Sequence, residues 1–168
     1  MQTITSADTS LNQVPAVAKL VNWESGTRNL DYGCGKYMKF SEFLAEKSVY
    51  NLRFDPYNLS DVENRITSDK VDKTPVDTAT CSNVLNVIQG VLHRNIVIST
   101  IRNSLKKGGV AYFTVYEGDK TGLGQTTTKG YQNNNKTQSY MKEIIDIFGA
   151  GRVTRKGKLI IAVKARGK

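Results

Sequence analysis

The chain has 168 residues and a net charge of +9, enough length for about one domain burying roughly two-thirds of its unfolded surface. No apolar run approaches the roughly 20 residues of a membrane span, and Met1 to Ser6 lack the basic and apolar regions of a signal peptide, so a cytoplasmic single domain over 1–168 is expected. Two cysteines, Cys34 and Cys81, exclude a disulfide scaffold and lack metal-ligand spacing, so both are expected reduced and no metal site is expected.

Residues 1–10 are polar and read as a loose start. Val14, Val17, Ala18 and Val21 recur at helical spacing, with Pro15 suited to a first helical turn, predicting a helix that runs to about Trp23. Glu24 to Thr27 breaks it. A short apolar strand, Asn29-Leu30-Asp31-Tyr32, then meets the tight turn Gly33-Cys34-Gly35, where glycine supplies conformations and clearance that a Cβ forbids. That clearance lets a ligand approach the main chain. Helix follows through Phe40, Phe43 and Leu44, and Tyr50 to Phe54 reads as a second strand with Asp55 at its carboxyl end.

Gly33 and Asp55 stand 22 positions apart, close to the roughly 20 expected when an acid after the second strand binds the ribose hydroxyls of a nucleotide-like ligand. A dinucleotide fingerprint needs a third glycine under its pyrophosphate, and Met38 occupies that position, which opposes a dinucleotide oxidoreductase. An adenosine derivative remains. Leu30-Asp31-Tyr32-Gly33-Cys34-Gly35 resembles the first motif of the class I S-adenosylmethionine (SAM)-dependent methyltransferases, with Tyr37 where that family often has a further glycine. The resemblance implies that Asp31 helps hold the amino group of SAM and that Gly33, Cys34 and Gly35 make room for its methionine part. Asp55 then serves ribose, and Pro56 and Tyr57 shape the adenine side. Asp55-Pro56-Tyr57 is not the Asp-Pro-Pro-Tyr motif of amino-methylating DNA enzymes, which follows the fourth strand and has two prolines.

A short third strand is expected around Arg65-Ile66-Thr67. The resemblance implies an acid after it for the adenine amino group, with Asp69 nearest and Asp72 as an alternative. Val76 to Ser82 is the next strand, and Asn83-Val84-Leu85-Asn86-Val87-Ile88 leads into a helix. By the resemblance Ser82 and Asn83 lie near the transferable methyl; Asn83 either orients an acceptor or caps the helix. Val97, Ile98, Ile101 and Leu105 stripe the following helix, which Lys106-Lys107-Gly108-Gly109 is expected to end. His93, the single histidine, has no paired acid nearby in sequence and Arg94 reads as structural or surface.

Val110 to Tyr116 is a strand, followed by a polar irregular stretch from Glu117 through Gln138; segments of that length in compact domains are usually functional or disordered. Tyr116 and Glu117 are placed to approach an acceptor, Glu117 either as its base or as a merely solvated acid. Met141, Ile144, Ile145 and Phe148 mark a helix, and Arg152 to Thr154 and Leu159 to Val163 form a closing hairpin.

Alternating strands and helices ending in a hairpin predict an α/β fold, a Rossmann-like doubly wound, mostly parallel sheet with a C-terminal antiparallel hairpin, as in the class I methyltransferases. Ligands of such sheets bind beyond the carboxyl ends of the strands, the edge onto which these features fall. From Leu123 onward ten Lys or Arg face only Glu143 and Asp146, so almost all the excess charge lies in the last quarter. Lys129, Lys136, Arg155, Lys156 and Lys158 are therefore candidate phosphate contacts, with Tyr131 free to stack on a base. The Asp31, Asp55 and Asn83 segments also resemble the methyltransferase domain found with DNA phosphorothioation systems, which implies a bacterial or phage protein linked to DNA. The expected activity is methyl transfer from SAM to nucleic acid, DNA first; a small-molecule or protein methyltransferase and a SAM-binding module without turnover are the alternatives.

Overall fold

The computed structural model describes residues 7–167; the loose start expected at Met1 to Ser6 lies outside them. Among the described residues, eight strands and five α-helices follow in the order α1 (Val17–Leu20), β1 (Arg28–Tyr32), α2 (Lys39–Glu46), β2 (Tyr50–Phe54), α3 (Asp61–Lys73), β3 (Val76–Ser82), α4 (Val91–Ser104), β4 (Leu105–Thr114), β5 (Gln125–Thr127), β6 (Gly130–Gln132), α5 (Met141–Phe148), β7 (Val153–Lys156) and β8 (Leu159–Val163). Six strands form one sheet in the order β2-β1-β3-β4-β8-β7, with β5 and β6 a separate hairpin. The first four are parallel; β8 runs antiparallel to both β4 and β7. The strand order reverses at β1, flanked by β2 and β3, and such a switch point opens a crevice beyond the carboxyl ends of the strands.

Each face of the sheet has its own apolar layer. Val71 of α3, Val97, Ile98 and Ile101 of α4, and Ile144 and Phe148 of α5 bury one face with Leu30, Ala79, Phe113 and Ile160. Val17, Ala18, Phe40, Leu44 and Leu159 bury the other, with Trp23 edge-on to Phe40 at 5.9 Å between centroids. The helical stripes of α2, α4 and α5 read from the sequence are thus the stripes the sheet covers. No helix among the described residues is long and apolar enough to cross a membrane.

Four segments depart from expectation. α1 spans four residues rather than running to Trp23, whose indole N–H instead donates to the Ala18 carbonyl at 2.9 Å. Asn83 to Ile88 holds a single 3-10 turn, Leu85–Val87, before α4 starts at Val91. α4 ends at Ser104, and Lys106 to Gly109 form an irregularity in β4 opposite Asp77, to which Lys106 is ion-paired.

The largest departure concerns the third strand: Arg65-Ile66-Thr67 lies inside α3, which a Ser60/Glu63 capping box opens. The buried side chains Asn64 and Thr67 of this helix bond the outer edge of β2. Asn64 accepts from the Asp55 amide and donates to its carbonyl, both at 2.9 Å, and Thr67 Oγ1 donates to the Arg53 carbonyl at 2.8 Å. Side chains thereby satisfy backbone groups that a neighbouring strand would otherwise pair. Asn64→Ala is expected to lower stability by about 1–3 kcal/mol, because the buried Asp55 amide loses its partner while the Asp55 carbonyl keeps only the Leu59 amide; urea unfolding at unchanged m-value measures it.

Candidate functional site

β1 and β3 pair with Asp31 opposite Thr80, so the Asp31 carboxylate is carried on the sheet one residue before the strand ends. Thr80 Oγ1 donates to it at 3.2 Å. Asp31 is 6% exposed, and among the described residues no Lys, Arg or His nitrogen lies within ion-pair distance of it. Burial pushes its carboxyl up from 3.8 to about 7, against the weaker pull of Thr80 and Arg53. A buried carboxylate held at the mouth of a switch point without a cation of its own is suited to a cationic ligand group.

The glycine turn is braced from β2. Gly33 and Cys34 donate to the Phe54 carbonyl at 2.8 and 3.2 Å, and the Arg53 guanidinium donates to the Gly35 carbonyl at 2.9 Å. Arg53 and Asp55, two apart and so on one side of the strand, thus hold the turn from below. Both glycines have positive φ, +77° at Gly33 and +66° at Gly35. The clearance expected to serve a ligand is used in part by the protein itself: a Cβ at Gly33 would lie 2.3 Å from Val84 Cγ2, and one at Gly35 2.4 Å from Ser10 Oγ. Cys34 is no nucleophile, since burial pushes its thiol up to about 12. Both cysteines are free thiols, as expected.

Asp55 is buried and its carboxylate takes four hydrogen bonds: Gly35 N at 2.8 Å and Asn58 Nδ2 at 3.2 Å on Oδ2, Tyr57 N and Asn58 N at 2.9 Å each on Oδ1. Pro56 and Tyr57 beside it are exposed. Asp69 does not join this group. It is exposed on α3 next to Lys70, whose carbonyl receives the guanidinium of Arg28 at the amino end of β1, so it sits toward the opposite rim. The acid expected after a third strand is misplaced because that strand is a helix.

Ser82 and Asn83 leave β3 at the same rim as the glycine turn. Ser82 Oγ accepts from Thr114 Oγ1 at 3.2 Å, and Asn83 is exposed with φ +56°, a left-handed conformation that non-glycine residues adopt sparingly. Asn83 is not a helix cap, since α4 begins eight residues later behind Gly90. Tyr116, 63% exposed, stands free at the end of β4. Glu117 does not. Its Oε1 accepts from Thr137 N and Oγ1, both at 2.9 Å, and Oε2 lies 3.8 Å from Lys120 and from Lys158. The Thr137 amide, with the Thr137 hydroxyl and the two lysines, holds this carboxyl below its usual value, which unsuits it as a proton acceptor near neutrality.

The stretch after Glu117 is ordered by amides that its polar composition hid. Gln132, Asn133 and Asn134 are buried. Asn133 Nδ2 donates to the Leu85 and Ile88 carbonyls at 3.0 and 2.9 Å, Gln132 accepts from Asn86 at 3.0 Å, and Gln132 Nε2 donates to the Tyr116 carbonyl at 3.0 Å. They tie the exits of β3 and β4 to the β5–β6 hairpin. Around this rim Lys129, Lys136, Arg155 and Lys156 are exposed, and Lys158 shares Glu117 with Lys120. Tyr131 is half-buried over Gly124 rather than free, its hydroxyl occupying the space of a Gly124 Cβ. His93 is exposed, whereas Arg94 is buried and structural.

No family model matches the sequence, and no curated protein matches it. Solved structures do match in fold. A Burkholderia thailandensis 1,6-didemethyltoxoflavin-N1-methyltransferase, bound to its acceptor and S-adenosylhomocysteine, superposes with TM-score 0.62 over 84% of this chain and 72% of its own at 13% identity. A SAM-dependent methyltransferase from Methanosarcina mazei gives 0.58 over 92% and 100% at 15%. A 16S rRNA N2 methyltransferase from T. thermophilus, with AdoMet and guanosine, gives 0.51 over 90% of this chain and 38% of its own at 15%. The likeness is one of fold, and the fold is that of the class I methyltransferases.

Proposed function

We propose that the chain is a SAM-dependent methyltransferase acting on nucleic acid, DNA ahead of RNA. The observation that carries the cofactor reading is Asp31: a desolvated carboxylate with no cation of its own, beside a glycine turn at the switch point of this fold. The residues present fit SAM in that they offer this carboxylate for its ammonium, the Gly33-Cys34-Gly35 turn for its methionine part, and Asp55, Pro56 and Tyr57 toward its ribose and adenine. When bound, SAM supplies an electrophilic methyl carbon on a sulfonium leaving group, and the chain has chiefly to align an acceptor with it. Ser82, Asn83 and Tyr116 are the groups placed to orient that acceptor. Glu117 does not serve as a base, because its carboxylate is engaged by Thr137, Lys120 and Lys158. Asp69, exposed on α3 toward the opposite rim, lies outside the adenine site.

The exposed Lys129, Lys136, Arg155 and Lys156 support a polyanionic acceptor, and Lys158 contributes through its place beside Glu117. DNA is preferred because the Asp31, Asp55 and Asn83 segments resemble a DNA-linked methyltransferase domain. Incubation with methyl-labelled SAM and separate pools of DNA, RNA, protein and small metabolites tests the reading, with label expected in DNA. A triple Lys136→Ala, Arg155→Ala, Lys156→Ala variant should reduce the log-log salt slope of DNA binding by about 2–3. Label confined to metabolites or protein, with salt-insensitive turnover, contradicts the nucleic-acid reading. The engaged Glu117 favours one alternative, a SAM-binding module without turnover, which full retention of label on the cofactor across all pools would identify.

A further inference from the structure

We infer that Asn58 is a positioning residue that sets the chain's selectivity for the sugar of its nucleoside ligand, competing with ribose for Asp55. The inference rests on the SAM reading above. A carboxylate offers about four acceptor sites, two per oxygen. At Asp55 all four are filled from within the protein, three of them by backbone amides: Gly35 N on Oδ2 at 2.8 Å, and Tyr57 N and Asn58 N on Oδ1 at 2.9 Å. These three are fixed by the glycine turn and by the turn after β2. The fourth, Asn58 Nδ2 on Oδ2, is the longest at 3.2 Å and comes from a half-buried side chain that can rotate away.

A ribose hydroxyl therefore reaches Asp55 only by displacing the Asn58 amide. Gly35 N, Tyr57 N and Asn58 N hold the Asp55 carboxylate itself, and Asn64 fixes the main chain beneath it, so turning the carboxylate to expose another site would break those bonds. Ligands without ribose hydroxyls leave the Asn58 bond intact and gain nothing from Asp55. The side chain at position 58 thus scales the advantage of a ribonucleoside over a deoxynucleoside, acting through Asp55 rather than by touching the reacting atoms.

Calorimetric titration of wild type and Asn58→Ala with S-adenosylhomocysteine and with its 2′,3′-dideoxy analogue tests this. Removing the competitor should tighten S-adenosylhomocysteine about 3- to 10-fold and leave the analogue unchanged, the range of one net hydrogen bond. A role confined to holding the turn would instead weaken both ligands alike. Asn58→Ser, which keeps a short polar turn side chain but cannot span to Oδ2, should show the same discrimination. If wild type binds S-adenosylhomocysteine but both variants bind it no tighter, or tighten both ligands equally, the inference fails alone. If wild type binds neither ligand, the SAM reading fails and takes the inference with it.

Discussion

Asp31→Asn is expected to bind S-adenosylhomocysteine at least about 30-fold more weakly at pH 7.5, yet to melt higher than wild type at pH 8. Truncating one partner of a buried charge pair typically costs about 2–5 kcal/mol, which sets the loss of affinity. The gain in stability follows from linkage. The Asp31 carboxyl titrates at 3.8 when solvated and at about 7 in the fold, so the fold favours its protonated form. That contribution is fully present below pH 4 and is lost as pH rises through 7. Above pH 7 the buried charge costs about 4 kcal/mol, roughly three pH units at 1.36 kcal/mol each. An asparagine carries no charge to desolvate, so the variant should gain about 8–16 °C at pH 8 and almost nothing at pH 4. Thermal melts across that range check the stability arm, and calorimetry the binding arm. Equal melting curves at both pH values would show that Asp31 is not the strained group described.

Arg94→Ala is expected to destabilise the protein by about 3–5 kcal/mol, the usual consequence of breaking one side of a buried ion pair. Arg94 is 5% exposed, and its Nε and Nη2 fork onto the two Glu143 oxygens at 2.8 and 2.7 Å. Its Nη1 donates to the Ile88 and Gln89 carbonyls at 2.8 and 2.9 Å. One side chain thereby fastens the loop leaving β3 to α5, and its removal strands the Glu143 carboxylate and the Gln89 carbonyl, whereas the Ile88 carbonyl keeps Asn133. Arg94→Lys should recover little, because an ammonium cannot reproduce the fork. Glu143→Gln should cost a comparable amount, because it leaves the buried guanidinium without its counter-charge and sets an amide N–H against one arm of the fork. Urea unfolding midpoints at constant slope separate these outcomes, and a loss below about 1 kcal/mol for Arg94→Ala would contradict the assignment. Because Asn83 belongs to the same loop, Arg94 variants that still fold should lose kcat more than cofactor affinity.

The parts of this protein legible in its sequence are those where apolar periodicity and glycine carry the signal. β1 ending at the Gly33-Cys34-Gly35 turn, β2 ending before Asp55, and the stripes of α2, α4 and α5 follow the pattern rules closely. The parts that escaped are those where polar residues do the burying. In α3 the buried stripe is Asn64, Thr67 and Val71, which has helical spacing but little hydrophobicity, so a strand was expected where a helix shields the edge of β2. The run Gln132 to Asn134 reads as loop by composition and is instead a buried amide plug between the strand exits. Glu117 looked free because Thr137 and Lys158, which engage it, are distant in sequence. For Arg53 the one sequence signal is its i, i+2 relation to Asp55, which places both on one side of β2, under the turn they brace.

Since burial raises the Asp31 carboxyl to about 7, receiving the ammonium of a SAM-like ligand should make it surrender a proton. Calorimetry of S-adenosylhomocysteine at pH 6.5, repeated in two buffers of different ionisation heat, counts that proton directly. With a carboxyl titrating near 7, well over half a proton per site, ~0.7, should be released by wild type and none by Asp31→Asn. Absence of binding heat with both SAM and S-adenosylhomocysteine, or the same proton count for the two proteins, would contradict the account.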